Sequence, residues 1–146
     1  MYLECYEFLT DRENSIYRFS SSGDCQTIEM MVHFQLIGFN YYNISFGVYN
    51  YLTGKIDVYT RTRNNDTTKV FSTLAHIILD FTSYQHDSII LLIGATKSRN
   101  RLFRIIISLY FEFIQNEFKI YGAHNGSWEK FSSNRAYDSF YFKRIH

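Results

Sequence analysis

Hydrophobic and polar residues alternate along the first part of the chain, from residue 15 to about residue 63. A period of two is typical of β-strands that bury one face. Short clusters that contain glycine or asparagine separate the alternating runs and suit tight turns. The pattern therefore predicts an antiparallel meander of about four strands. The clearest runs are 28–36, 44–48 and 56–60, and the turns between them are 38–40 and 53–55.

The hydrophobic period changes to that of a helix after Arg63. Five apolar residues recur at i, i+4, i+7, i+8 and i+11, so they form one stripe along a helix. Asn65 or Asp66 is a suitable N-cap residue, and the helix is predicted to end near Tyr84. The stripe consists of Val70, Leu74, Ile77, Ile78 and Phe81.

A buried strand and a second helix are predicted next. The run at 88–94 is mostly apolar at consecutive positions, which favours a central strand covered on both faces. The second helix begins at Thr96 or Ser98. Its residues that are expected to face inward are Leu102, Ile106, Leu109, Tyr110 and Phe113.

Two closing strands complete the pattern, at 118–121 and 140–143, and the loop between them holds Asn125, Gly126 and Trp128. A meander of strands followed by helix, strand, helix, strand and strand predicts an α+β fold. With 146 residues, 46% of them hydrophobic, the chain can form a sizeable core. We therefore predict a single domain over residues 1–146.

Charge, cysteines and targeting signals narrow the range of partners. The formal net charge of +1 gives no overall attraction to nucleic acid or to an acidic membrane, so such a partner would need a local patch. Cys5 and Cys25 have neither CxxC nor metal-ligand spacing, which indicates reduced thiols. The N-terminus lacks a signal-peptide pattern, and the apolar runs are far shorter than the roughly 20 residues that cross a bilayer. We expect a soluble, cytoplasmic protein with no membrane partner.

Polar and basic residues cluster at the predicted starts of both helices. Lys97, Arg101 and Arg104 fall at i, i+4 and i+7, so they share one helix face. Cations and free amides at a helix N-terminus favour a phosphate group of a nucleotide or a nucleic acid. The alternative is a solvated face whose cations pair with carboxylates such as Asp66, Asp80 or Asp87. The candidate ligand-binding residues are Arg63, Asn64, Asn65, Asp66, Lys97, Ser98, Arg99, Arg101 and Arg104.

The sequence does not assign a catalytic or metal-binding set. The five histidines form no pair at i, i+4 on a helix or i, i+2 on a strand, so no metal site is predicted. His76 and Asp80 are four residues apart on the first helix, a spacing that suits a surface hydrogen bond or a polarised imidazole. Neither cysteine has a neighbour that would activate it as a nucleophile. The catalytic residues are therefore unknown from the sequence.

The order of the elements from Lys55 onward resembles the second half of the acyl-CoA N-acetyltransferase (GNAT) fold. In that family an Arg/Gln-x-x-Gly-x-Gly/Ala loop binds the pyrophosphate of coenzyme A, and a tyrosine on the next helix protonates the leaving thiolate. The resemblance implies that residues 63–68 form this loop, with Asp66 and Thr68 at the glycine positions. Phe103 stands at the position of the tyrosine. Acetyl-CoA is thus the cofactor that the resemblance implies.

Two blocks of sequence also resemble a family of short bacterial and phage-associated proteins known only as uncharacterised. The first block is Asn64-Asn65-Asp66 followed by Lys69-Val70. The second block is Thr96-x-Ser98-Arg99-x-Arg101-Leu102-Phe103-Arg104.

Three functions are compatible with these features. We favour a non-catalytic or atypical effector or interaction protein on an acetyltransferase-like scaffold, without a cofactor, that binds a protein partner in a toxin–antitoxin or phage-conflict pair. The second function is an acyl-CoA-dependent N-acetyltransferase with a degenerate pyrophosphate loop, acting on an RNA or protein amine. The third is RNA binding or cleavage through the basic patch at 97–104. Short edge strands would also permit a homodimer.

Overall fold

The computed structural model describes residues 4–24, 26–58 and 64–145. Within these ranges the chain forms nine strands and three helices, so the predicted α+β class is confirmed. The chain divides into two compact units, Met1–Gln35 with Ile44–Tyr84 and Leu36–Asn43 with Gln85–His146. The single domain over residues 1–146 stays a prediction.

The elements are β1 (Leu9–Asp11), β2 (Ile16–Ser21), β3 (Ile28–Gly38), β4 (Tyr41–Asn50), β5 (Lys55–Asp57), α1 (Thr67–Tyr84), β6 (Ile89–Leu92), α2 (Lys97–Leu109), α3 (Phe111–Ile114), β7 (Phe118–His124), β8 (Ser127–Lys130) and β9 (Phe140–Arg144).

The strands pair in the order β1-β2-β3-β4-β6-β9-β7-β8, and β5 pairs with β4. In the first unit β2 is antiparallel to both β1 and β3, and β5 is antiparallel to β4. The strands predicted from the alternation are therefore present, and β1 is an additional short strand. β5 ends at Asp57, so the strand does not include Val58 as predicted, and the rest of the predicted strand, to Thr60, falls outside the described residues.

Helix α1 begins at Thr67 and ends at Tyr84, as the periodicity predicts. All five residues of its predicted stripe are buried. Phe81 of the stripe stacks on Phe34 of β3, with ring centroids 4.0 Å apart and planes inclined by 3°. Tyr17 of β2 meets the same Phe34 ring edge-on at 5.6 Å. Because buried aromatic rings contribute large apolar areas, this cluster anchors α1 on the strands of its own unit.

In the second unit β6 is parallel to the first residues of β4, with Tyr41 opposite Ile89, and antiparallel to β9. β7 is antiparallel to β9 on one side and to β8 on the other. β6 thus lies between two strands, as predicted, and both closing strands are present. The predicted cover on both faces of β6 is wrong, because Ile90 and Leu92 are buried whereas Ile89 and Leu91 on the other face are only half-buried. The predicted loop around Trp128 is wrong, because Ser127–Lys130 form β8. Asn125 and Gly126 have φ values of 51° and 79°, which suit a two-residue hairpin turn between β7 and β8.

Helix α2 begins directly after its N-cap, Thr96, as predicted. The predicted inward face is wrong at Leu109, which is 65% exposed, whereas Phe103 and Ile107 are buried. The helix stops before Tyr110 and the short helix α3 follows, so the apolar residues do not continue along one straight helix. The other residues that were expected to face inward, Leu102, Ile106, Tyr110 and Phe113, are half-buried. No helix within the described ranges is long and apolar enough to span a membrane.

Candidate functional site

The first candidate segment lies at the start of α1, in the first unit. Asn64 is buried, and its side-chain amide donates to the backbone oxygen of Gln26 at 2.6 Å and to the hydroxyl of Ser21 at 3.1 Å. Its Oδ1 accepts a hydrogen bond from the Gln26 N–H at 3.0 Å. Asn64 thus joins the start of α1 to the last residue of β2 and to the β2–β3 connection. Arg63, the basic residue of this segment, lies outside the described residues.

Asp66, which precedes α1, bonds to the same region through its carboxylate. Its Oδ2 accepts from the Tyr6 hydroxyl at 2.6 Å and from the Ser21 hydroxyl at 2.5 Å. Its backbone oxygen accepts from the Val70 N–H at 2.9 Å, so Asp66 stands at the N-cap position that the sequence predicts. Asn65 between the two anchors is exposed, and its φ of 56° lies in the left-handed region that asparagine tolerates.

A cavity of about 530 Å³ opens beside this helix start. Lys69 in its lining forms an ion pair with Glu4 at 3.2 Å and lies 4.3 Å from the centre of the Tyr6 ring. The cavity therefore combines one lysine with the carboxylates of Glu4 and Asp66, so an anion would meet charges of both signs. The described lining residues are Glu4, Tyr6, Ser22, Gly23, Asn64, Asn65, Asp66, Thr67, Thr68 and Lys69.

The second candidate segment lies at the start of α2, in the second unit. The hydroxyl of Thr96 accepts from the Arg99 N–H at 3.1 Å, which caps the helix. Oδ1 of Asn100 accepts from the Gly94 N–H at 2.7 Å, and its Nδ2 donates to the Asp138 backbone oxygen at 2.8 Å. The side chains of Thr96 and Asn100 thus hold the turn from β6 to α2 and fix the direction of the first helical turn.

The cations of α2 have different surroundings. Lys97 and Arg101 are exposed, one helical turn apart, and form no ion pair with any described residue. Arg104 donates from Nη1 to the Ser133 backbone oxygen at 3.1 Å. Arg99 is half-buried and Ser98 is exposed. The structure therefore brings Lys97 and Arg101 together as a solvated pair, while the candidate residues Asn64, Asn65 and Asp66 belong to the other unit.

A buried tyrosine in the first unit was missed by sequence reasoning. Tyr17 is fully buried, and its hydroxyl donates to Oδ2 of Asp80 at 2.6 Å and lies 3.1 Å from the Tyr84 hydroxyl. Burial, together with the hydrogen bonds to Asp80 and Tyr84, raises the pKa of Tyr17 well above its ordinary value. The two members of the His76–Asp80 pair considered from the sequence thus have other partners. Asp80 accepts the hydrogen bond of Tyr17, and Nδ1 of His76 lies 2.8 Å from the Ser72 backbone oxygen. Because Tyr17 stays protonated, it suits a structural role better than that of a general base.

An aromatic patch on the strands of the second unit was also missed. Phe140 and Phe142 of β9 are buried, and Phe140 packs against Phe131 and Tyr137. Because successive strand residues alternate between faces, Tyr141 lies on the opposite face. The sequence of β7 and β9 indicates this second face, because lysine or tyrosine alternates there with buried residues. We call this patch the aromatic face, and it comprises Tyr41, Leu91, Tyr121, Trp128 and Tyr141.

No group of three or more histidine, cysteine, aspartate or glutamate side chains among the described residues is arranged to hold a metal ion. No curated protein and no solved structure is significantly similar to the chain. One family model matches residues 2–145, and it describes a family of unknown function, DUF6934. The chain therefore belongs to the DUF6934 family.

Proposed function

We propose that the protein is a non-catalytic interaction protein that binds an acidic partner protein through the exposed cations of α2. The observation that carries this proposal is the pair Lys97 and Arg101, which share a helix face and form no ion pair with any described residue. An acidic surface would supply the missing counter-charges and would speed association by electrostatic attraction. Such a protein would serve as one component of a toxin–antitoxin or phage-conflict pair on an acetyltransferase-like scaffold.

The contacts of two residues favour binding over acyl transfer. Asp66 places a carboxylate, held by Tyr6 and Ser21, at the helix start where a coenzyme A pyrophosphate would need free amides. Phe103, at the position of the general acid in acetyltransferases, is buried and has no proton to donate. Acyl transfer would thus need a different acid and a different phosphate contact.

The test compares two charge reversals at exposed cations. Arg101→Glu alters the proposed surface, and Lys55→Glu on β5 of the first unit is the matched control. Products of adjacent genes are co-expressed with each variant, and any complex with an acidic product is measured by calorimetry. We expect Arg101→Glu to weaken the complex at least about tenfold and Lys55→Glu to leave it unchanged. Equal affinities of the two variants would contradict the proposal.

Thermal-shift titrations with acetyl-CoA and coenzyme A test the acyltransferase alternative on the same proteins. A ligand that binds only the folded state must raise the melting temperature. Our proposal predicts no shift at millimolar acetyl-CoA. A shift of several degrees would instead support the acyltransferase and overturn the non-catalytic assignment.

A further inference from the structure

Three rings of the aromatic face, on β9, β7 and β8, contact one another. Tyr121 and Tyr141 are stacked, with centroids 4.5 Å apart and planes inclined by 14°. Trp128 meets Tyr141 edge-on at 4.9 Å. Trp128 and Tyr41, on β8 and β4, are 47% and 44% exposed. The five strands from β8 to β4 span about 19 Å at the usual strand spacing. Tyr141 therefore supports the ring of Trp128, and both outer rings retain open surface for a ligand.

Lysines accompany the rings on the same face. Lys119 of β7 is directly opposite Lys143 of β9, and Lys130 of β8 is directly opposite Tyr121. All three lysines are exposed, and none forms an ion pair with a described residue. Like charges directly opposite one another destabilise a strand pair. The Lys119–Lys143 pair thus lowers the stability of the free protein and would gain from a bound anion.

Tyr141, at the centre of the face, adds no opposing charge. Burial, reinforced by the neighbouring Tyr121 and Tyr41 phenols, raises the pKa of Tyr141 above its ordinary value. Its hydroxyl therefore stays neutral at physiological pH. No aspartate or glutamate occurs on the described residues of β6, β7 and β9, and Glu129 of β8 lies opposite Gly122 on the covered face, so the aromatic face combines rings with positive charge alone.

We propose that the aromatic face binds a single-stranded nucleic acid, with bases stacked on Trp128 and Tyr41 and phosphates at the Lys119–Lys143 pair and Lys130. Exposed rings on a sheet accept unpaired bases because every base has a flat apolar surface. Lysines beside the rings neutralise the backbone that joins the bases. This inference is independent of the proposed function, because it uses the sheet of the second unit and not the α2 cations.

The combination of rings and lysines favours this ligand over other polyanions. A duplex hides its base faces inside the stack, and polyphosphate has no bases, so neither could use the exposed surfaces of Trp128 and Tyr41. An acidic protein could pair with the lysines, but it would lack a repeated flat group for the rings. The duplex and polyphosphate therefore become the control ligands of the experiment.

Trp128 is the single tryptophan of the chain, so its fluorescence reports directly on the proposed site. The full-length protein is titrated with 12-nucleotide oligoadenylate as RNA and as DNA, with a 12-base-pair duplex, and with polyphosphate of equal charge. We expect the single strands to quench Trp128 and to lose affinity as salt rises, with a slope of about −2 in log K against log salt for three phosphate contacts. Tighter binding of RNA than of DNA would indicate a contact to the 2′-hydroxyl. Equal binding would indicate that all contacts are to bases and phosphates.

Two variants separate stacking from charge. We expect Tyr41→Leu to weaken binding at least about fivefold, since it removes one stacking ring. We expect Lys119→Gln/Lys143→Gln to flatten the salt slope by about 1.4. The same double variant should raise the melting temperature of the free protein by about 1–3 °C, because the like-charge contact is removed. If these lysines had a structural role alone, the double variant would not be both more stable than the unchanged protein and weaker in binding single strands.

The controls are matched in residue type and exposure. Tyr51→Leu removes an exposed ring at the β4–β5 turn of the first unit, and Lys55→Gln removes an exposed cation of β5 in the same unit. Both controls should bind like the unchanged protein. The proposal is overturned if polyphosphate or the duplex quenches Trp128 as strongly as the single strands. It is also overturned if no single strand binds, or if the control variants lose as much affinity as the site variants.

Discussion

Gly122 of β7 lies directly against the ring of Tyr137. A Cβ atom added at residue 122 would lie 2.3 Å from Cδ1 of that ring, closer than any real contact. Tyr137 is 5% exposed, and its hydroxyl donates to Glu129 at 3.1 Å and accepts from the Ser132 N–H at 2.8 Å. Because two hydrogen bonds hold the hydroxyl and the backbone holds the other end of the side chain, moving the ring aside would break these bonds. The glycine is therefore required by packing on the covered face of the sheet.

Gly122→Ala should lower the free energy of unfolding by about 1–3 kcal/mol, the usual cost of overpacking a core. Urea denaturation at neutral pH measures the change. Gly38→Ala is the control, because a Cβ at that position would lie 3.8 Å from the nearest atom, an ordinary contact. Equal stabilities of the two variants would show that the Tyr137 ring is not fixed as the structure places it.

Neighbouring asparagines at the start of α1 should respond very differently to substitution. Asn64→Ala leaves the buried Ser21 hydroxyl and the backbone groups of Gln26 without their side-chain partner, which should cost about 2–3 kcal/mol of stability. Asn65→Gly should change stability by less than about 0.5 kcal/mol, because the side chain is exposed and glycine adopts positive φ without strain. Thermal unfolding of both variants provides the comparison. A similar loss for both would contradict the anchoring role of Asn64.

Periodicity predicts elements well where one face alone is buried. The stripe of α1 was identified because all its apolar residues lie on one side of an unbroken helix. The inward face of α2 was misplaced because the helix stops before Tyr110, where the sequence has neither glycine nor proline to mark a break. β8 was missed because four residues with one tryptophan show no clear alternation. Such short elements depend on pairing with a distant strand, which local sequence does not reveal.

Candidate sites were harder to predict because polar residues serve structure as well as ligands. Asn64 and Asp66 carry the sequence features of a ligand loop, yet their side chains bond to Ser21 and to other residues distant in the chain. The aromatic face was missed because it draws one or two residues from each of five strands. Only the strand register brings Trp128 next to Tyr141. Chain composition could not separate such a face from the general abundance of aromatic residues.

Tyr17 should make stability depend on pH in the alkaline range. Its folded-state pKa is raised, first by burial and then by Asp80 and Tyr84, so the folded protein keeps the proton while the unfolded chain releases it near pH 10. The stabilisation is fully present below about pH 10 and decreases above it by up to about 1.4 kcal/mol per pH unit for this group. Tyr17→Phe should therefore cost about 1–2 kcal/mol at pH 7 through the lost hydrogen bond and reduce the alkaline slope.

Denaturation in urea from pH 8 to pH 11 measures this difference in slope. Part of the slope should persist in Tyr17→Phe, because burial also raises the pKa values of Tyr137 and Tyr141. Tyr51→Phe, at a ring that is 69% exposed, controls for the loss of a phenol as such and should change stability at pH 7 by less than about 0.5 kcal/mol. If Tyr17→Phe kept the full alkaline slope, the unfolded chain and the folded protein would have to release the Tyr17 proton at the same pH. The Tyr17 hydroxyl could then not be the buried donor to Asp80 that anchors β2 to α1.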